Sequence, residues 1–389
     1  MLDGEIELHN GAINLNDGLA GLGKDEFLDR VHGEAPVFRQ ANGAWVVSRF
    51  EDVRAVLLDP GRFSSDGMQL QEGLHFPLLN DDPPRHSRLR GLLAKGFTPA
   101  AMEGMRPAIN RLAEDLVAAI PAGIETDIVA ALTTPLPVTV IAGMMGVPAE
   151  RHDDFKRWSN VIVFLTYELI DAESIAALME LRGYFAGLAA ERRAAPGGDL
   201  ISALTKAREQ DDTLSDEQVV GFCMLLMLAG NETTTNLLGN LLNRLADAPD
   251  AWAALRADPS LIEGAIEESL RIDPPGQLIL RRATEEVTLC GQTIGAGEQV
   301  VVYLAASNRD PARWQDAADF QIGREISRHL AFGHGVHTCI GAPLARMEAK
   351  AAMQALVARF ATIRRGSAPG ERLPGELFFG FRDLPLIFE

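Results

Sequence analysis

Cys339 stands in the run Phe332-Gly-His-Gly-Val-His-Thr-Cys-Ile-Gly341, a glycine-rich loop that leads into a stretch of strong helix formers from Pro343 onward. A thiolate acts as ligand or nucleophile. It stays ionised near neutral pH where a metal or the free N–H groups of a helix N-terminus supply positive charge. Gly333, Gly335 and Gly341 remove side chains around the sulfur, so a large flat group can come close to the backbone. A second constellation is Ala229-Gly-Asn-Glu-Thr-Thr234, in the least polar stretch of the chain. An acid and a hydroxyl in an otherwise dry helix, Glu232 and Thr233, can pass protons to a reacting group. Glu268 and Arg271 lie one helical turn apart and can pair. Between Pro84 and Lys95 the chain carries Arg85, His86, Arg88, Arg90 and Lys95 with no acid among them.

The pattern Phe-x-x-Gly-x-His-x-Cys-x-Gly resembles the haem-binding loop of the cytochromes P-450. The resemblance implies haem b as cofactor, Cys339 as axial ligand of the iron, and Phe332, Gly333, His337 and Gly341 as parts of the loop around it. Ala229 to Thr234 is similar to the family's oxygen-activation motif, which implies that Ala229 and Gly230 lie beside the haem and that Thr233 and Glu232 deliver protons. His86 and Arg90 share a helical face at i, i+4; with Arg281 and His337 they correspond to the family's contacts to the haem propionates, two carboxylates that need cationic or hydrogen-bonding partners. Glu268, Arg271 and Arg324, in Phe320-Gln-Ile-Gly-Arg, look like the family's Glu-x-x-Arg network, with a role in folding and haem retention. For the substrate pocket the resemblance implies Met68, Leu79, Leu225 and Leu228, together with Leu278, Leu280, Phe378 and Phe379. Gln277 and Thr166 are the polar candidates there. Arg85 and Arg88, on the other side of the helical wheel from His86 and Arg90, suit docking of an acidic electron donor.

These residues need a scaffold that places them. The chain has 389 residues, 47% of them hydrophobic, enough to bury a large core. Its net charge of −18 argues against nucleic acid or an anionic membrane as partner. Three dispersed cysteines suggest neither a disulfide framework nor a zinc site. The N-terminus is acidic where a signal peptide is basic, and the longest apolar run, Val219 to Gly230, is about 12 residues against the ~18 of a membrane span. A cytoplasmic monomer is the expectation.

Helices are predicted over 50 to 58, 84 to 95, 100 to 119, 125 to 144, 149 to 165, 173 to 194, 198 to 207, 216 to 247, 251 to 257, 260 to 272 and 342 to 359. Ser215-Asp-Glu-Gln218 is a capping box, so 216 to 247 reads as one helix of ~30 residues, bent where Gly230 weakens it and Thr233 bonds back to the Ala229 carbonyl. Residues 36 to 39 and 44 to 48 read as a hairpin, 286 to 304 as two strands around Gly295 and Gly297, and Leu280 to Ala283 as strand-like. The fold class is mainly α with small β-sheets (α+β), a single domain over 1–389, and the family architecture puts the long helix over the haem.

Together these features imply a monooxygenase that inserts one oxygen atom from O2 into a hydrophobic small molecule, by hydroxylation or epoxidation. Electrons come from NAD(P)H through a ferredoxin or flavodoxin. Two alternatives stand beside it: a peroxide-driven haem-thiolate peroxygenase, which has no need of the Glu232-Thr233 pair, and a non-catalytic haem-thiolate sensor, for which no output domain is visible.

Overall fold

The computed structural model describes residues 24–67, 76–164, 172–206, 208–209, 212–325, 328–374 and 377–389. They form two compact units, each assembled from separate stretches of chain: 1–68, 267–339 and 374–379 in the first, and 69–266, 340–373 and 380–389 in the second. Both units mix helices with short strands.

The first unit is built on a five-stranded sheet in the order Val37–Arg39, Trp45–Val47, Gln299–Tyr303, Leu278–Ala283, Phe63–Ser64. The expected hairpin is present, with Val37 opposite Val47. Its second strand runs parallel to Gln299–Tyr303, Val46 facing Val301. Alternation then sorts the side chains. Val37, Trp45, Val47, Val300 and Val302 enter one core with the helix Phe50–Leu58, whereas Phe38, Val46, Val301 and Tyr303 enter another with Phe27, Leu28 and Val31. The helix Lys24–Glu34, which supplies those last three, is absent from the sequence reading. The two strands expected over 286 to 304 are three: Val287–Leu289 and Gln292–Ile294 form a hairpin, and Gln299–Tyr303 joins the sheet. The hairpin turns at Cys290 and Gly291, with φ of 47° and 78°.

In the second unit, long helices predominate. Thr98 caps Pro99–Ala119 by accepting from the Ala101 N–H at 3.2 Å, and the Ser215/Gln218 box closes in both directions at 3.2 and 2.7 Å. The helix that starts there is not uniform. Asp216–Met227 is α-helical, Leu228–Glu232 is one π-helical turn, and Thr233–Ala246 resumes the α-helix. Residues 125 to 144 are likewise not one helix. Thr126–Asp127 is a strand, Val129–Thr133 a π-helical turn, and the α-helix begins at Pro135, which lacks an N–H and suits a first helical position. Sequence reading also misses the strands Ile363–Arg365, Glu371–Arg372, Phe381–Asp383 and Pro385–Phe388. Ile363–Arg365 and Thr126–Asp127 flank Pro385–Phe388 in a three-stranded sheet. Helix Ala342–Arg359 has the predicted bounds.

Candidate functional site

Cys339 closes a turn whose backbone is fixed from both ends. Its N–H donates to the Phe332 carbonyl at 2.9 Å, and the Gly333 N–H donates to Leu330 at 2.8 Å. Gly333 and Gly335 have φ of 67° and 73°, which L side chains rarely adopt. Glycine at 335 has a further reason: a Cβ there would lie 2.5 Å from the Leu57 carbonyl oxygen, so the helix Phe50–Leu58 packs backbone against backbone with this loop. That contact accounts for Gly335, in place of the open approach expected from sequence. The Cys339 side chain is exposed. Gly341, two residues on, is the N-cap of Ala342–Arg359, with φ −80° and no need of left-handed freedom. His337 Nε2 lies 2.9 Å from the Ser65 hydroxyl, and the Phe332 ring is tilted 6.0 Å from His329.

Behind the loop lies a buried charge network. Arg271 Nε and Nη2 donate to the two Glu268 oxygens at 2.7 and 2.8 Å, and Arg324 Nε donates to the same carboxylate at 3.0 Å. Glu268 and Arg271 are fully buried. Further guanidinium N–H groups find backbone: Arg271 reaches the carbonyls of Asn308, Ala317 and Asp319, and Arg324 those of Gln315, Asp316 and Asp319. Asn308, unremarked in the sequence, extends this towards the cysteine, because its Oδ1 accepts from the Leu330 N–H at 2.6 Å. The structure therefore brings Glu268, Arg271 and Arg324 together.

In the other unit, the π-helical turn has a comparable economy. From Phe222 to Asn243 the helix is buried except at Ala229, Gly230 and Thr233, which share one face. Thr233 Oγ1 donates to the Ala229 carbonyl at 2.6 Å, as the spacing predicts. Gly230 packs against Ile141, whose Cδ1 would lie 2.5 Å from any Cβ added there. Asn231 donates to Ser159, and Thr235 Oγ1 donates to the Thr133 carbonyl at 3.0 Å. Glu232 is buried and receives one hydrogen bond, from Asn236 Nδ2 at 3.0 Å. Burial pushes its carboxyl up to about 6, and the Asn236 bond works against that rise. Asn236 was not singled out from sequence; its signal was the i, i+4 spacing from an acid.

His86 is buried and Arg90 half-buried, one turn apart on Arg85–Leu93. Arg281 is buried and donates to the Leu280 carbonyl at 2.8 Å, whereas Arg282 is exposed. Arg85 does not project freely: its guanidinium is held 2.7 Å from buried Asp81. Arg88 is exposed. Of the pocket candidates, Leu225 and Leu228 are buried on the long helix and Leu79, Phe378 and Phe379 are half-buried. Leu278 belongs to a hydrophobic core, with Leu280 packed against it, because β-strand alternation aims both at the same layer. Gln277 donates to the Pro274 carbonyl and so is engaged by the backbone. Met68 and Thr166 lie outside the described residues.

Comparison with known proteins decides the family. The cytochrome P-450 family model matches residues 172–381. The chain is 38% identical to the cytochrome P-450 monooxygenase PikC of Streptomyces venezuelae, over 95% of this chain and 93% of that one. It is 40% identical to the mycinamicin IV hydroxylase/epoxidase of Micromonospora griseorubida, over 89% of each. A Bacillus megaterium cytochrome P-450 solved with testosterone superposes with TM-score 0.84 at 37% identity, over 93% of this chain and 98% of that one. The chain belongs to the cytochrome P-450 family. As such it is a monooxygenase of a haem-iron family, and its fold is that of a cytochrome P-450. No helix among the described residues is long and apolar enough to cross a membrane.

The residues present suit haem b, the cofactor of a cytochrome P-450. The chain has three thiols. Cys223 is fully buried, which pushes its thiol far up, and Cys290 donates to Asp52 at 3.1 Å. Cys339 alone combines exposure with a glycine loop at a helix N-terminus. The open face of Ala229, Gly230 and Thr233 is small and largely apolar, as a flat macrocycle requires.

Proposed function

We propose that this chain inserts one atom of O2 into a bulky hydrophobic molecule, with Cys339 as the thiolate that would hold the haem and electrons from NAD(P)H through a ferredoxin or flavodoxin. The observation that carries the reading is the Cys339 loop, whose backbone is fixed while its thiol stays exposed. When bound, haem supplies dioxygen activation and oxygen-atom transfer, which no side chain of this protein provides. The protein's part is to hold, orient and protonate. Cys339 would hold the haem iron through its thiolate, the donor type that favours oxygen activation. Glu268, Arg271 and Arg324 keep the loop in place. His86, Arg90, Arg281 and His337 would hold the propionates. Thr233 Oγ1 and the Glu232 carboxyl hand protons on, the carboxyl being refilled from solvent.

The substrate class follows the relatives, one named for mycinamicin IV and one solved with testosterone. For the electron donor, the basic island of a chain with net charge −18 is the docking candidate. With Arg85 bound to Asp81, Arg88 and exposed Lys95 are the residues left to steer an acidic partner.

The deciding experiment is spectroscopic. The reduced, carbon monoxide-bound protein should show the red-shifted Soret band of thiolate ligation, and Cys339→Ser should lose it. Persistence of that band in folded Cys339→Ser, with Cys223 and Cys290 intact, would overturn the assignment. A screen of macrolides and steroids for a shift of the Soret band identifies the substrate class.

A further inference from the structure

Asn236 makes one contact that matters for chemistry and leaves half of its amide without one. Its Nδ2 donates to Glu232 Oε1 at 3.0 Å, one turn back along the helix. Its Oδ1 is buried and has no hydrogen-bond partner, although a buried amide oxygen normally finds one. On that side lies Gly380, so close that a Cβ at 380 would sit 1.9 Å from Oδ1 and 2.2 Å from Cγ. The φ of Gly380 is not left-handed, so its missing side chain serves space and not backbone freedom. Glycine at 380 is what lets the Asn236 amide occupy its place.

An amide beside a lone buried carboxyl has a particular use. Turned one way, its N–H donates to the carboxylate; turned by half a revolution, its oxygen accepts from the carboxylic acid. The amide gives up no proton in either position. The proton leaves the Glu232 carboxyl and is later replaced there from solvent.

We propose that Asn236, given room by Gly380, is the positioning residue that orients the Glu232 carboxyl and sets its protonation. This rests on the reading of Glu232 as a proton donor. Among the resolved influences on Glu232, the amide is the one hydrogen-bonding group, opposing the rise that burial causes. The helix Pro135–Met144, packed against the π-helical turn, has no ionisable side chain. On His152–Phe164, Asp154 and Arg157 pair at 3.3 Å, Asp153 is exposed, and His152 and Lys156 are half-buried. On Phe381–Asp383, which packs on the following helix, Arg382 pairs with Glu371 at 3.4 Å and Asp383 is half-buried. Burial and the Asn236 amide are the two influences resolved on Glu232.

The test is an infrared difference titration of the ferric haem-loaded protein, with the protonated carboxyl band assigned through Glu232→Gln. In Asn236→Leu the midpoint should rise from about 6 by roughly one pH unit, since a hydrogen bond to the charged form is lost. The pH profile of product formed per NAD(P)H should move the same way. Asn236→Asp, which keeps the shape, should raise the midpoint further through like charge. Gly380→Ala should raise it less, and should add nothing in an Asn236→Leu background. An unmoved midpoint in Asn236→Leu or Asn236→Asp, with the haem spectrum intact, overturns the proposal. The underlying reading fails separately: if Glu232→Gln leaves product per NAD(P)H unchanged at every pH, Glu232 is not the donor, whatever the titration shows.

Discussion

The cysteine loop and the π-turned helix are held by opposite means. Behind the loop, one carboxylate and two guanidinium groups form a buried set, with further N–H groups on backbone carbonyls. In the helix the cross-links are neutral, Asn231 to Ser159 and Thr235 to Thr133, and the single buried acid has one neutral partner. A buried carboxylate shared by two guanidinium groups tolerates no change of protonation, because its loss strands buried positive charge. A carboxyl with one amide partner can gain or lose a proton at little structural cost. The first arrangement suits a sulfur that must not move, the second an acid that must titrate.

The contrast can be broken most forcefully at Glu268. Glu268→Ala leaves Arg271 buried and uncompensated, and should cost about 3–5 kcal/mol in urea unfolding and lower haem retention. A loss under about 1 kcal/mol would mean that the network does not hold the loop.

Glu232→Gln should act with the opposite sign. The folded-state carboxyl titrates near 6, above its ordinary 4.5, so the folded form holds the extra proton between those values. Stability therefore falls as pH rises through that window, and the penalty is complete above it, about 2 kcal/mol. The amide variant should accordingly be more stable than the parent at pH 7.5 by up to that amount and equal to it below pH 4.5. Thermal melts at both pH values check this; a variant less stable at pH 7.5 would show that Glu232 is structural.

Thr233→Ala should change stability by less than about 1 kcal/mol, since it removes a back-bond within the helix and improves propensity. Its effect belongs to chemistry: product per NAD(P)H should fall several-fold while hydrogen peroxide rises. Unchanged coupling removes Thr233 from proton delivery. The smallest effect is expected at Arg88→Glu, a slower reduction by ferredoxin at low salt that converges with the parent at high salt. Equal rates at low salt would place docking elsewhere.

Much of this was legible in the sequence, and for identifiable reasons. The cysteine loop, the Glu268/Arg271 spacing and the Ser215 capping box are local patterns, and local patterns survive folding. The bounds of Phe50–Leu58 and Ala342–Arg359 follow from periodicity. Val129 to Thr133 is apolar without period, so nothing in it distinguishes a π-helical turn from the α-helix predicted there. The turn between Val287–Leu289 and Gln292–Ile294 is masked because a cysteine occupies its first left-handed position. Thr126–Asp127 takes its partner Pro385–Phe388 from the far end of the chain, and two residues alone carry no strand signal. Asn236 and Gly380 become meaningful only as a pair, which spacing along the chain does not reveal.

The parallel pairing of Val46 with Val301 also sets a clock. A ribosome adding about 5–20 residues per second needs roughly 13 to 50 s to travel from one to the other. Throughout that interval the edge of Trp45–Val47 that pairs with Gln299–Tyr303 stays open, a standing invitation to aggregation that a chaperone can cover. The cysteine comes later still. A haem held by Cys339 could therefore be captured only after every strand of this sheet has been made.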